Sequence, residues 1–359
     1  MTDHPGSRLH EIGPYIGKIR PSLARMLVGL YTKEGQYVWD PFCGSGTIPL
    51  EARLAGRHVI ASDVNPYARL LTRAKLSAPH SAAAPLAQLA SAAAALQRKS
   101  EDTLADVPDW VRRFFHERTL HETRVLLGEF LARRQYFNAG CLLGILHHQR
   151  PGFLSYPASH LVPYLRDRLF PRDQYPEAYD YRDPVPRLEA KIRCALEGAP
   201  PAPPSHYRVL DKAAHEKHVP SESVQAVITS PPYMDALDYA RDNRLRLWFL
   251  GVTDYRTVKR REIGRVGTYE DEMRRILSRL VEGVAPGGVC ILILGMVARG
   301  KSERDVPGTT AELMKTMHKP MVLEDHWVED VPDRRRARRN GRATRAETIL
   351  VFRRGDAMR

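Results

Sequence analysis

Short apolar runs alternate with stretches of helical periodicity along this chain, in two blocks separated by a long middle segment. In the first block a helical stripe from Pro21 to Leu30 precedes an apolar run that closes on Asp40. After a glycine-containing turn the pattern is helical from Ile48 to Ala55, apolar from His58 to Ser62 and helical again from Tyr67 to Leu76. The last block predicts strands at Tyr207 to Leu210, from Val224 to Ile228, at Val289 to Leu294 and at Glu347 to Arg353. Between them lie helices over Asn243 to Leu250 and about 268–284. Strands alternating with helices predict an α/β fold with a doubly wound sheet. The middle is different. Residues 81–98 are Ala-rich with a partial stripe of Leu86, Leu89 and Leu96, and helices are predicted at about 108–118, 119–148 and 187–197. A Pro-rich aromatic stretch precedes the last of these, and the linker Gly198 to Ser205 follows it. One domain, in halves 1–78 and 205–359, is therefore expected to carry a mostly helical and irregular insertion at 79–204.

Two strand ends carry the chemistry. The first is Asp40-Pro41-Phe42-Cys43-Gly44-Ser45-Gly46-Thr47, a glycine turn between a strand and a helix, followed by a second strand that ends in Asp63. Glycines allow a tight turn and close backbone approach to a ligand. The acid about 20 residues on is where a nucleotide-binding βαβ unit grips a ribose diol. Glu51 and Ala52 stand where a third glycine would be, and no lysine follows the turn, so neither a dinucleotide fingerprint nor a phosphate-cradling loop is present. That combination suits a nucleoside cofactor without a pyrophosphate. The second strand end is Ser230-Pro231-Pro232-Tyr233. The prolines fix φ and donate nothing, which makes a stiff, non-pairing loop of carbonyls, one hydroxyl and a ring. Such a loop suits a planar base whose amino group needs acceptors; alone, it is equally a Pro-rich turn after a core strand.

Together these motifs resemble the amino-group DNA methyltransferases, which act on N4 of cytosine or N6 of adenine. Asp40 to Thr47 is similar to their cofactor loop, Asp63-Val64-Asn65-Pro66 to the segment that closes over the cofactor's ribose, and Ser230 to Tyr233 to their catalytic loop. Gly13-Pro14-Tyr15-Ile16-Gly17-Lys18 resembles the element over the cofactor's methionine end. The likeness covers 9–78 and 205–298 well and the middle poorly. It implies a Rossmann-like S-adenosylmethionine-dependent methyltransferase sheet, with residues 1–78 as N-terminal arm and cofactor half and 205–359 as catalytic half. It implies that Tyr15, Lys18, Asp40, Phe42, Gly44, Ser45, Gly46, Thr47, Asp63, Asn65 and Asp211 hold S-adenosyl-L-methionine. Asp211 would take the adenine amino group. Ser230, Pro231, Pro232 and Tyr233 would be catalytic, with Ser230 Oγ and the Pro231 carbonyl as acceptors and Tyr233 stacked on a flipped base. Serine before Pro-Pro-Tyr is most often associated with N4-cytosine. N6-adenine in DNA and guanine N2 in tRNA, whose enzymes share a similar glycine loop, remain open. Asp235 and Asp238 are candidate proton acceptors or plain helix caps.

Charge changes the picture of partners. Lys and Arg number 55 against 42 Asp and Glu, a net charge of +13, which favours a polyanion. The run Arg334 to Arg342 reads as a phosphate contact or a solvated loop. In the insertion, Tyr156, Tyr164, Tyr175, Tyr179 and Tyr181 interleave with Arg150, Arg166, Arg168, Arg172 and Arg182. That is a candidate target-recognition surface or an internally packed subdomain. Double-stranded DNA is the expected partner, RNA the alternative, and a cognate restriction enzyme a further one. Four cysteines include no CxxC pair, and none follows a proline, which disfavours carbon-5 cytosine chemistry. His147 and His148 lack ligand-spaced companions, so no metal is expected. No apolar run reaches the roughly 20 residues that span a bilayer and no apolar leader is seen, so a cytoplasmic location is expected.

Overall fold

The parallel strands expected from the apolar runs are present at nearly the expected bounds. In a computed structural model the chain is described over residues 7–97, 104–147, 153–157, 165, 167–232, 237–263, 268–295, 298–299, 302–303, 305–319, 321–330 and 346–355. It divides into two compact units. A sheet unit comprises Ile16–Thr72, Ala202–Asp238 and Thr257–Arg359, and a helical unit comprises Met1–Tyr15, Arg73–Pro201 and Tyr239–Arg256.

The sheet unit holds β1 (Tyr37–Asp40), β2 (His58–Ser62), β3 (Tyr207–Leu210), β4 (Val224–Thr229), β5 (Val284–Gly295), β6 (Met321–Asp330) and β7 (Ala346–Arg354). Their order is β3-β2-β1-β4-β5-β7-β6. The first five are parallel, with Trp39 level with Ile60 on one side and Val227 on the other. β7 is antiparallel to both β5 and β6. Strand order reverses between β1 and β4. In open α/β sheets that switch point is where a crevice opens beyond the carboxyl ends of the strands.

The helices of this unit follow the predicted stripes: α1 (Pro21–Tyr31), α2 (Thr47–Leu54), α3 (Pro66–Leu76, whose end belongs to the helical unit) and α4 (Tyr269–Gly283). On α4 the residues Met273, Ile276, Leu277, Leu280 and Val281 recur at helical spacing and are fully buried. They join Trp39, Val227, Cys290 and Leu292 in one core cluster. A core side chain of this kind contributes about 1.5–3 kcal/mol on burial.

Three departures from the sequence pattern stand out. β5 starts at Val284 rather than Val289, so Pro286-Gly287-Gly288 is part of the strand, opposite a register shift between Val224 and Ala226. A helix, α5 (Val306–Lys315), and β6 had no sequence signal. β6 is an edge strand with most side chains exposed, so no alternation marks it, and Glu324, Asp325, Glu329 and Asp330 charge that edge.

The helical unit contains the helices Ala83–Ala93, Glu117–Ala132, Tyr136–Gly144, Pro184–Leu196 and Arg244–Phe249. The single helix expected over 119–148 is broken. Arg134 takes a left-handed φ of 56° and Gln135 N–H closes on the Phe130 carbonyl at 2.8 Å, a helix-ending turn. The helix expected at 108–118 contracts to Asp109–Arg112. At Gly144 a Cβ would fall 1.9 Å from the Ile12 carbonyl oxygen. Only glycine lets that backbone approach.

Candidate functional site

Pro41 cannot continue β1, and the turn that follows is tied to β2 rather than left loose. Cys43 N–H donates to the Ser62 carbonyl at 3.0 Å, and Gly46 N–H donates to the Cys43 carbonyl at 2.6 Å. Gly44 and Gly46 have φ of 45° and 74°, the left-handed region that favours glycine. Gly46 also has no room for a side chain, since its Cβ would lie 2.9 Å from Thr72 Cα on α3. Thr72 donates its hydroxyl to Cys43 Sγ at 3.3 Å, and burial pushes the Cys43 thiol well above its usual range, so this cysteine is no nucleophile. The Ser45 and Thr47 hydroxyls lie 3.1 Å apart. Gly46 caps α2 without a side-chain hydrogen bond, which leaves first-turn amides facing the turn, a setting that favours anionic groups. Phe42 is half-buried against the core. Buried Glu51 is ion-paired with Arg25 of α1 at 2.9 Å; the residue that replaces the third glycine therefore joins two helices.

The carboxylates at the strand ends differ in surroundings. Asp40, at the end of β1, is 2% exposed. Its Oδ1 accepts both the Thr229 hydroxyl at 2.7 Å and the Phe42 N–H at 3.2 Å. Burial raises its pKa to about 7, with the charge of Asp63 adding to the rise and the Thr229 and Phe42 hydrogen bonds opposing it. Asp63, after β2, accepts Gly44 N–H on Oδ2 at 3.0 Å and Asn65 N–H on Oδ1 at 2.8 Å. Burial raises its pKa too, against those bonds and Arg69. Each oxygen keeps a lone pair for a ligand hydroxyl. Asn65 caps α3 by accepting Tyr67 N–H at 3.0 Å, and its buried Nδ2 has no partner among the described residues. An orphan buried donor of this kind calls for an explanation.

Asp211, after β3, is half-exposed and held by two arginines, Arg69 at 2.9 Å and Arg261 at 3.1 Å. Arg69 also donates to the Asp63 and Val64 carbonyls at 2.9 and 3.0 Å. This arginine, which the sequence reading missed, fastens the loop after β2 to the loop after β3. Its one sequence signal is its place three residues into the helix after Asn65-Pro66.

Thr229 is fully buried at the end of β4, with half-buried Ser230, buried Pro231 and half-buried Pro232 following it. Tyr233 and Asp235 lie outside the described residues, as does the run Arg334 to Arg342. Asp238 is ion-paired with Lys259. Lys18 belongs to the sheet unit, half-buried; Tyr15 belongs to the helical unit, where its ring stacks on Tyr239 at 6.0 Å.

In the insertion, the described tyrosines and arginines engage one another. Arg172 sits over the rings of Tyr156 and Tyr179 at 5.5 and 4.6 Å. Tyr179 donates to the Phe170 carbonyl at 2.6 Å, and Arg182 donates to the Phe153 carbonyl at 2.9 Å. Tyr175 and Arg168 are exposed. Arg150, Tyr164 and Arg166 lie outside the described residues, as does His148, while His147 is fully buried. Among the described residues no group of three His, Cys, Asp or Glu could hold a metal, and no helix is long and apolar enough to cross a membrane.

Residues 13–102 match the model of an RMKL-like methyltransferase domain. The chain is 44% identical over 52 residues to a tRNA (guanine(10)-N2)-dimethyltransferase of Methanothermobacter thermautotrophicus, which is 14% of this chain and 16% of that protein. It is 34% identical over 68 residues to the type II methyltransferase M.MjaII of Methanocaldococcus jannaschii, 19% of this chain and 13% of that protein. The chain thus spans less than a fifth of the length of these curated relatives. Among solved structures, TrmN from Thermus thermophilus is similar at 13% identity and a TM-score of 0.40, over 99% of this chain and 55% of that one. The sheet is a Rossmann-like α/β sheet, and the family model that residues 13–102 match is that of a methyltransferase domain.

Proposed function

We propose that this protein transfers a methyl group from S-adenosylmethionine to the exocyclic amine of a nucleic-acid base. The observation that carries the reading is the juncture of β1 and β4 at the switch point. The cofactor turn leaves one strand, Ser230-Pro231-Pro232 leaves its neighbour, and the Thr229–Asp40 hydrogen bond joins the two ends. The residues present fit the cofactor. Asp40 suits a cationic amino or sulfonium group, the open amides of α2 suit a carboxylate, Asp63 suits a ribose diol and the orphan Asn65 Nδ2 suits a ligand acceptor. Bound there, the cofactor supplies an electrophilic methyl group on a good leaving group.

The chain's own residues then have one task. A base amine is a poor nucleophile because its lone pair is delocalised into the ring. Ser230 Oγ and the Pro231 carbonyl accept the amine's N–H bonds, which orients the nitrogen and releases its lone pair toward the methyl. Pro232 keeps the loop stiff, and Tyr233 stacks on the base. Asp211 is the candidate for the adenine amino group.

The finer target has two supports that point apart. Serine at 230 supports N4 of cytosine in DNA, with N6 of adenine as its neighbour, and the likeness to a type II methyltransferase supports a DNA substrate without choosing the base. The 44% identity to a tRNA guanine-N2 enzyme supports an RNA guanine. Tritiated-methyl transfer to DNA in which cytosine or adenine is the only base with an exocyclic amine, and to tRNA, separates them. Label on DNA cytosine supports the first reading, and label on tRNA alone replaces it with the second. Transfer to no base at all removes the proposal. Ser230→Ala at full activity removes the role given to that hydroxyl.

A further inference from the structure

A cavity of about 390 Å³ lies wholly within the helical unit, between the helices Ala83–Ala93, Glu117–Ala132 and Pro184–Leu196. Its volume falls in the range of ordinary ligand pockets. None of its residues belongs to the sheet unit that carries the cofactor turn. Its polar wall is built around Arg118. The guanidinium lies over the Tyr181 ring at 4.4 Å, and Nε donates to Glu122 Oε1 at 2.8 Å. Tyr181 donates its hydroxyl to the other oxygen, Glu122 Oε2, at 2.5 Å. Glu122 is buried, so this chain of bonds fixes the plane of the guanidinium. Both terminal nitrogens of Arg118 are left without a partner among the described residues. Gln97 and Asp183 add free acceptors, since Asp183 uses only Oδ1 to cap its helix. Leu96 supplies an apolar wall.

The charge of the lining selects the ligand. Arg118 is neutralised by Glu122, which leaves Asp183 as the unbalanced charge, so a phosphate is disfavoured inside the cavity. A cation would meet Arg118. What fits is a flat neutral ring with an acceptor edge for the guanidinium fork, donors for Asp183 and Gln97, and an apolar face for Leu96. Guanine has that pattern, with O6 and N7 as acceptors on one edge and N–H donors beside them; adenine places an amino donor where the arginine needs an acceptor. We infer that this cavity binds an unpaired guanine base, with Arg118 reading its O6/N7 edge. The inference rests on the nucleic-acid reading above only for the source of the base.

Titration calorimetry on the full chain tests it, with GMP, AMP, CMP and UMP as free nucleotides and short unpaired DNA and RNA oligonucleotides carrying one guanine or none. The expected result is selective binding of guanine ligands. Tighter binding of the oligonucleotide than of GMP marks a substrate-flanking base, and equal binding marks a free nucleotide. Arg118→Lys, which keeps the charge and loses the fork, should weaken guanine binding about tenfold or more. Leu96→Trp, which fills the cavity and leaves the polar chain intact, should do the same. Absence of guanine preference, or guanine binding unchanged in both variants at wild-type thermal stability, overturns the inference. Methyl transfer measured separately keeps the outcomes apart: guanine binding without transfer to any base removes the proposed function and leaves this site standing.

Discussion

The Thr229 hydroxyl donates to Asp40 Oδ1 at 2.7 Å, and Phe42 N–H donates to the same oxygen. One carboxylate oxygen therefore holds the end of β4 against the end of β1 and also sets the start of the glycine turn. A hydrogen bond to a charged group is worth about 1.5–3 kcal/mol, yet burial raises the Asp40 pKa to about 7. Desolvation outweighs the two donors.

The first prediction is a stability profile. An aspartate whose folded pKa lies above its unfolded value binds its proton more tightly in the fold, so stability falls as pH rises between the two values. Here the window runs from 3.8 to about 7, and at about 1.4 kcal/mol per unit the cost approaches ~4 kcal/mol above it. Asp40→Asn retains an Oδ1 acceptor for both donors and carries no charge. Without cofactor it should be more stable than wild type at pH 8 by about 1–4 kcal/mol and equal to it near pH 4. Denaturant melts at the two pH values check this; parallel profiles would show that Asp40 titrates normally.

Cofactor affinity should carry the opposite dependence. A cation beside Asp40 favours the ionised carboxylate, so binding must expel the proton below the carboxylate's pKa. The dissociation constant of S-adenosylmethionine should therefore rise toward tenfold per unit below about pH 7 and be flat above it. Calorimetry from pH 5.5 to 8.5 reads the slope. Asp40→Asn should bind more weakly and without that slope, and a slope retained in the variant assigns the titration to another group.

Gly46 couples turn geometry to packing. Alanine there is strained by the φ of 74° and would place its methyl 2.9 Å from the Thr72 backbone. The conformational part costs about 1 kcal/mol and overpacking about 1–3 more. Gly46→Ala should lose both stability and cofactor binding. Thr72→Ala in the same chain removes the crowding by the hydroxyl oxygen but leaves the crowding by the α3 backbone, so rescue should be partial. Full rescue, read by thermal melts and calorimetry, would locate the defect in the hydroxyl alone.

What the sequence disclosed and what it hid follow from periodicity and reach. The parallel strands β1, β2, β4 and β5 have apolar runs because their side chains are mostly buried, and the glycine turn, Asp63 and the Ser-Pro-Pro loop announce themselves by residue type. β6 gave no signal because its side chains are mostly exposed at the sheet edge. The break at Arg134 was hidden because the apolar stripe runs on across it. Residues of the insertion that suggested a reading surface, Arg172 and Arg182 above all, bond to rings and carbonyls of their own unit. Composition cannot distinguish that use from a contact with nucleic acid. Arg69 was hidden because its partners are two backbone carbonyls and an acid 142 residues away.

Arg69 and Asp211 permit a decisive comparison. Asp211 is about half-exposed and Arg69 is not, so their ion pair is screened on the acid's side and should contribute no more than ~1 kcal/mol. The two bonds from Arg69 to the Asp63 and Val64 carbonyls are shielded and are worth roughly 1 kcal/mol each. If Asp211 serves the protein only as a clamp, Asp211→Ala should cost little stability and little cofactor affinity. Arg69→Ala should then cost about 2–3 kcal/mol and weaken cofactor binding by freeing the loop that carries Asp63. If Asp211 instead contacts the adenine amino group, the affinities invert. Asp211→Ala would then lose cofactor binding beyond Arg69→Ala while remaining nearly as stable as wild type. The proposed adenine role predicts that second pattern, measured by calorimetry beside thermal melts of the same two variants. The double variant adds the deciding number. Contact with the cofactor makes Asp211→Ala weaken binding further in a chain that already carries Arg69→Ala, whereas a pure clamp makes it silent there.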